Sequence, residues 1–371
     1  MRFVIDARYL RGRPSGIGRQ VEVLVERLPA MAPADQFELW THPEAPRPLS
    51  MAPNVRERLV RASPNGPGTV FWPAKLAPLS HADVLHAPHN LLGLAIPCPA
   101  VVTVHDLMSI DSPWNEHWRN RLFKHWYTRL GLVHAIRVAA LILTPSRATA
   151  DDIAARFPQA RGRLRVASPA ADEGFAAAVD EGAAHARAAE LTGSDAPFYL
   201  CVGQNEPSKG HRHAVEAFAQ AAGQHQRLVL VQRAYAGAGL SRLVESLGVA
   251  ERVLWLPTLP QPDLAALMQS AIALLQPSLA EGFGMPVLEA MACGCPVIVS
   301  DIAALKEVTA GAGLTSAAGD SASLAAQMRA LAAAPALRAE LGARALARAA
   351  DFSWADFAAT VLESYRDAAR T

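Results

Sequence analysis

The sequence predicts an α/β protein made of two doubly wound domains, each a parallel sheet covered on both faces by helices. Three observations lead there. At 371 residues the chain is long for one core and fits two domains of ordinary size. Short, nearly continuous apolar runs alternate with segments of helical period from end to end. One Ala-, Asp- and Gly-rich stretch, 168–197, interrupts that alternation without a strand signal and marks a junction.

Taken in order, the first half offers strands at RFVID (2–6), FELWT (37–41), DVLHA (83–87), AVVTVH (100–105), LILTP (141–145) and RLRVA (163–167). Helical patterns fall between them at about 16–28, 115–138 and 146–157. The second half repeats the scheme with FYLCVG (198–203), RLVLV (227–231), RVLWLP (252–257), AIALLQPS (271–278) and CPVIVS (295–300). The tail, about 320–371, reads as Ala- and Arg-rich helices. Domains are expected at 1–180 and 181–350, with 351–371 a helix that packs back on the first.

Composition removes several classes of function. A net charge of +1 argues against nucleic acid as a partner, because such binding rests on phosphate neutralisation. Cys98, Cys201, Cys293 and Cys295 have no metal-ligand spacing and read as reduced, mostly buried thiols. MRFVIDARYL is strand-like rather than a signal peptide, and no apolar run has the eighteen residues that span a bilayer. No D-x-D pair, G-x-x-x-x-G-K-[ST] loop, H-E-x-x-H or G-x-S-x-G is present, so neither a metal nor a serine nucleophile has motif support.

In doubly wound sheets ligands bind beyond the carboxyl ends of strands, so the loops there were read for chemistry. Gly16 and Gly18 open a helix after the first strand; they suit either close approach of a phosphate or a tight turn with Ser15 as N-cap. His105 and Asp106 end a strand, where they could meet a substrate hydroxyl, or where His105 could be satisfied by a backbone carbonyl. Gly203, Lys209 and Gly210 lie between a strand and a helix. Lys209, one of only four lysines among thirty-five basic side chains, suits a diphosphate or is a solvated loop cation. In SLAEGFGMPVLEAMACGCPVIVSD (278–301), Glu281 stands beside Gly282 and Gly284, Pro286 fits a first helical turn, and Glu289 follows near that turn. As unremarkable groups Glu281 would be a loop acid and Glu289 a complement to the helix dipole. Neither explains why both flank a G-F-G turn after a core strand.

Together these loops make the chain similar to glycosyltransferase family 4, the retaining enzymes of GT-B fold. The resemblance rests on IDAR…SGIGR, LHAPHN, VVTVHDL, LTPSRATADDI, VGQNEPSKG and the E-x7-E motif of LAEGFGMPVLEAMACGCPVIVSD, and covers nearly the whole chain. It is closest to the bacterial mannosyltransferase-like branch that builds O-antigen and capsule. It implies two Rossmann-like domains whose parallel sheets face a central cleft, the first on the acceptor side and the second holding a nucleotide sugar. It places Glu281 on the donor sugar, with Gly282, Phe283 and Gly284 beside sugar and diphosphate. Glu289 falls on the ribose, Lys209 on the diphosphate with Gly203 near it, Gly16 and Gly18 facing the phosphate, and His105, with Asp106, near the anomeric centre. Gln204 and Ser208 stand where members often carry arginine, and Arg19, Arg212 or Arg233 are the replacements the sequence offers. The expected donor is a GDP-sugar, GDP-mannose above all, used without metal or other cofactor. UDP-sugars, an epimerase of the same fold and a non-catalytic sugar-nucleotide binder are the alternatives.

EHWRNRLFKHWYTRLGLVHAIR (116–137) combines a stripe of Trp118, Leu122, Trp126, Leu130 and Val133 with five cations. Such a helix fits an anionic bilayer surface and a lipid-linked acceptor, or a core helix whose arginines face water. The expected location is the cytoplasm or the cytoplasmic face of the inner membrane.

Overall fold

The computed structural model of the chain describes residues 1–11, 15–71, 78–111, 122–232 and 238–371. It contains two compact units, Met1–Pro169 with Ser353–Thr371, and Ala170–Phe352. The division thus falls after Pro169 rather than after residue 180. The junction stretch is also not all linker: Glu181–Thr192 is a helix of the second unit, capped by Asp180 and packed on the helix Gln261–Ser270. Alanine's high helix propensity makes this run helical although it has little apolar period. Arg187 ties it to Asp263 at 2.8 Å.

The first unit holds a seven-stranded parallel sheet in the order β3-β2-β1-β4-β5-β6-β7. Its strands are β1 (Arg2–Asp6), β2 (Gln36–Thr41), β3 (Val55–Leu59), β4 (Val84–Ala87), β5 (Ala100–Thr103), β6 (Leu141–Thr144) and β7 (Leu164–Val166). β3, VRERL, is an edge strand whose three consecutive charged residues are exposed or half-buried, which is why no apolar run announced it. The second unit holds six parallel strands in the order β10-β9-β8-β11-β12-β13. They are β8 (Phe198–Val202), β9 (Arg227–Val231), β10 (Val253–Leu256), β11 (Ala273–Gln276), β12 (Val297–Ser300) and β13 (Leu314–Ser316).

In β8 and β11 successive residues enter opposite cores. Leu200 and Leu274 pack with Val229 and Val297 on one face, and Cys201 and Leu275 with Leu230 and Ile298 on the other. Burial on both faces is the reason these strands read as continuous apolar runs rather than as alternation.

The last helix, Trp354–Ala368, belongs to the first unit and packs on β4 to β7 and on the helix Gly16–Met31. Tyr365, fully buried, sets its hydroxyl 2.6 Å from His86 Nδ1, while His86 Nε2 lies 2.9 Å from Thr103 Oγ1. Burial pushes the His86 imidazole down to about 3, with the neighbouring His89 and His105 acting in the same direction. Its folded value lies below the unfolded one, so its contribution to stability is present above about pH 6.5 and is lost as pH falls toward 3. Tyr365→Phe strands the buried ring nitrogen and is expected to cost about 1–3 kcal/mol in urea unfolding at neutral pH.

The helix Leu122–Val138 buries Tyr127, Leu132, Ala135 and Ile136. Of the apolar stripe read from the sequence, Trp126 is instead exposed, and Leu130 and Val133 are half-buried. The buried face is therefore rotated from that stripe, because the core below it is set by β4 and β5. Residues 116–121 of that motif lie outside the described residues.

Candidate functional site

Each sheet reverses the direction of its strand order once, between β1 and β4 and between β8 and β11. The loops beyond that point are neighbours at the carboxyl ends of the strands, the place where doubly wound sheets bind ligands.

In the second unit these loops are 203–210 and 277–284. Leu279 N donates to the Ser208 carbonyl at 2.7 Å, which fastens one loop to the other. Gly210 has φ +67°, and a Cβ there would overlap the Pro277 carbonyl, so glycine is required. Lys209 ends a single 3₁₀ turn, Pro207–Lys209, and its Nζ donates to both Glu281 oxygens at 2.8 Å. Lys209 is thus paired rather than a solvated loop cation, and Glu281 is not an ordinary loop acid. With side chains 23% and 9% exposed, the pair is mostly withdrawn from water.

Gly284, at φ +106°, caps the helix Met285–Ala292, and Pro286 occupies its first turn. A Cβ on Gly284 would lie 2.5 Å from Leu305 Cδ2, so the turn needs glycine for both conformation and space. Gly284→Ala is expected to destabilise the fold by about 1–3 kcal/mol, measured as a shift in urea midpoint. Phe283 is buried edge-on against Phe352 at 5.6 Å and anchors the turn, with half-buried Gly282 before it. Glu289 sits at the start of the second helical turn, deeper than an acid that merely complements the dipole. It is half-buried, and burial, followed by the negative charge of Asp172, pushes its carboxyl up to about 7.

Gly203 follows β8 at φ +149°, its N donating to the Val231 carbonyl at 3.1 Å. Gln204 is exposed. Arg212 is exposed and bonded to Glu216 at 2.7 Å, and Arg233 lies outside the described residues. His211, buried at the start of the next helix, has Nδ1 3.1 Å from the Gln232 amide. Burial and then Lys209 push this imidazole down to about 4, so it is neutral at pH 7.

In the first unit the equivalent place holds a buried cluster that sequence reading missed. Arg8 donates to Asp6 through Nε at 2.7 Å and Nη2 at 2.5 Å, and His89 Nε2 lies 3.0 Å from Asp6 Oδ2. Burial alone would raise the Asp6 carboxyl, but Arg8 and His89 outweigh it and hold it far below the usual carboxylate range. The IDAR segment carried the signal: a charged pair closing an apolar strand. His105 follows β5, and its Nε2 lies 3.0 Å from the Pro88 carbonyl, the backbone-satisfied reading of this residue. That contact makes Nε2 the donor and leaves Nδ1 as an acceptor. Asp106 Oδ1 accepts from Met108 N at 3.0 Å. Ser15 caps the helix Gly16–Met31 by accepting from Gly18 N at 2.9 Å, and Arg19 is paired with Glu22 at 2.7 Å. Lys209, Glu281, Gly282, Phe283, Gly284 and Glu289 thus gather in the second unit, while Gly16, Gly18, Arg19, His105 and Asp106 belong to the first.

Among the described residues no group of three or more His, Cys, Asp or Glu is placed to hold a metal ion. Among them, too, no helix is long and apolar enough to cross a membrane.

The fold and these loops define a two-unit α/β protein with buried polar clusters outside the strand ends. Residues 14–174 match the family described as Glycosyltransferase Family 4, and residues 184–348 the family described as Glycosyl transferases group 1. The chain thus carries a Glycosyltransferase Family 4 domain followed by a Glycosyl transferases group 1 domain, and its fold is GT-B. It is 35% identical over 187 residues to the D-inositol 3-phosphate glycosyltransferase of Frankia alni, covering 47% of this chain and 46% of that one. It is 28% identical over 295 residues to O-antigen chain mannosyltransferase B of Escherichia coli, covering 77% and 73%. The chain spans about half the length of the first curated relatives it matches. In fold it resembles the sucrose-phosphate synthase of Thermosynechococcus elongatus, with a TM-score of 0.73 over 98% of both chains at 22% identity.

Proposed function

We propose that the chain is a retaining, metal-independent hexosyltransferase. It moves a hexose, with mannose from GDP-mannose favoured, onto a saccharide or lipid-linked saccharide in bacterial surface-polysaccharide synthesis. The observation that carries this reading is the Lys209–Glu281 pair at the switch point of the second sheet, with Glu289 one helical turn beyond. The likeness to an O-antigen chain mannosyltransferase supports the sugar and the pathway.

Lys209 supplies positive charge for the leaving diphosphate, and Glu281 accepts hydrogen bonds from the hexose hydroxyls. Both interactions strengthen as the glycosidic bond breaks and positive charge gathers on the sugar. The acceptor hydroxyl attacks the front face and its proton passes to the departing phosphate oxygen. The first unit offers His105 and Asp106 to the acceptor; the N–H groups of Gly18 and Gly203 are already engaged, by Ser15 Oγ and the Val231 carbonyl. NMR of the product is expected to show the donor's anomeric configuration, with full turnover in EDTA. An inverted product, or activity that returns only with added divalent metal, contradicts this mechanism.

Glu289 gives a pH dependence. Ribose hydroxyls donate to the ionised carboxylate, so nucleotide binding expels the proton that burial retains up to about pH 7. Nucleotide affinity is expected to rise about tenfold between pH 6 and 8, and Glu289→Gln to flatten the profile. In the unliganded protein the sign reverses: the raised carboxyl adds stability below about pH 4.5 that is lost as pH passes 7.

A second reading, transfer from another GDP- or UDP-sugar to a small molecule, is favoured by the 35% identity to an inositol-phosphate glycosyltransferase. A thermal-shift panel of GDP-, UDP-, ADP- and dTDP-sugars separates the two, because a ligand of the native state raises its melting temperature. The expected place of action is the cytoplasm or the cytoplasmic face of the inner membrane. Exposed Trp126, Arg129 and Arg137 on the helix Leu122–Val138 support contact with anionic lipid. Flotation with anionic vesicles is expected; protein left in the dense fraction contradicts the membrane part.

A further inference from the structure

Beside the Lys209–Glu281 pair, two side chains that no motif singled out direct their donors at the same carboxylate. Glu281 Oε1 accepts from Lys209 Nζ at 2.8 Å, from Ser278 Oγ at 2.9 Å and from Gln276 Nε2 at 3.0 Å. Among the described residues, Glu281 Oε2 accepts from Lys209 alone, at 2.8 Å. Gln276 also donates to Ser278 Oγ at 2.8 Å, so the serine hydroxyl accepts from the amide and passes its own proton toward Glu281. This direction is fixed. A flipped amide would set the Gln276 oxygen against a carboxylate and a serine already donating elsewhere. Gln276 Oε1 consequently has no hydrogen-bond partner among the described residues, a cost accepted so that one amide hydrogen reaches Glu281 and the other Ser278.

The frame around them is rigid. Gln276 ends β11 with 2% exposure, Ser278 is fully buried, and Ser300 at the end of β12 donates to the Ser278 carbonyl. Lys209, by contrast, reaches in from the other loop on a flexible stem and is the most exposed member of the cluster. Of the three donors on Glu281, two are buried at and just beyond the end of β11 and one can leave.

We propose that Gln276 and Ser278 are positioning residues that hold Glu281 by Oε1, so that when Lys209 turns to an incoming diphosphate, Oε2 becomes the acceptor for a hydroxyl of the transferred hexose. The proposal rests on the donor reading above. It adds an order of events: the resting site is closed on itself, and the diphosphate exposes the oxygen that recognises the sugar. A carboxylate oxygen left bare in a partly dry site takes up a hydroxyl in preference to staying unpaired.

The test compares wild type with Ser278→Ala, Gln276→Met and the double variant, titrating GDP and UDP by calorimetry and measuring kcat/KM with the sugar nucleotide that wild type uses. Each single variant is expected to bind the nucleoside diphosphate within about twofold of wild type. Its kcat/KM is expected to fall about tenfold to a hundredfold, the effect of one lost hydrogen bond to a charged group. Ser278→Thr, which keeps the hydroxyl, restores most of the rate. If Gln276→Met does not fold, Gln276→Asn, which retracts the amide by one methylene, takes its place. Parallel loss of nucleoside diphosphate binding and transfer makes the two residues merely structural and overturns the proposal, as does transfer undiminished in the double variant. Wild type that neither binds nor uses any of the sugar nucleotides overturns the donor reading itself, and this proposal with it.

Discussion

Lys209→Ala is expected to lower kcat/KM for the sugar nucleotide by about two to three orders of magnitude, the range for a lost transition-state donor. The side chain is the cation that the structure fixes at the switch point of the second sheet, bonded to both oxygens of Glu281. Among the described residues, loops 203–210 and 277–284 carry no other cation for the leaving diphosphate. Arg212, exposed and held by Glu216, does not stand in for it in this arrangement. Glu281→Ala is expected to cost a similar factor by removing the sugar contact. Because the two residues touch, their effects are non-additive: the double variant loses less than the product of the single losses. Steady-state kinetics of the three variants measure this directly. Rates near wild type in both single variants contradict the assignment of the site.

Arg8→Met is expected to give the largest loss of stability, about 3–5 kcal/mol, because it breaks a buried ion pair and leaves one charge behind. Arg8 is wholly buried, and its guanidinium bonds Asp6, the Thr69 hydroxyl at 3.1 Å and the Ala62 carbonyl at 2.9 Å. Asp6 would retain His89 as its only remaining charged neighbour of this cluster, and only in the protonated form of the ring. The melting temperature is expected to drop by roughly 10 °C. Pairing Arg8→Met with Asp6→Leu removes both charges and recovers much of that loss, since well-packed apolar replacements of a buried pair are often near neutral. An Arg8→Met protein as stable as wild type contradicts this account of the first sheet.

The parts of the fold written in continuous apolar runs were legible, and the parts written in polar or very short runs were not. β8, β9, β11 and β12 are buried on both faces, so their sequences advertise them. β3 carries Arg56, Glu57 and Arg58 on the sheet edge, and β13 has only three residues, so neither produced a pattern. Helix Glu181–Thr192 was hidden by a run of alanines that looked like linker. At the site, Glu281 and Glu289 could be read because a G-F-G turn and a proline separate them at fixed spacing. The pairings could not, although Lys209 itself was read as a ligand of the diphosphate. Lys209 lies 72 residues before Glu281, and His89 lies 83 after Asp6, separations that only the strand order closes. Gln276 and Ser278 were invisible for another reason: they sit at the end of an apolar strand, where polar residues read as its termination rather than as chemistry.

The proposed donor site in the second unit holds a nucleotide-diphosphate sugar through Lys209, Glu281 and Glu289. It is tested by calorimetric titration of wild type and Lys209→Ala with the sugar nucleotide that gives the largest thermal shift. A single site on wild type and binding at least tenfold weaker in the variant are expected, from the loss of a charge-assisted contact to phosphate. Equal affinity in the two proteins would contradict it.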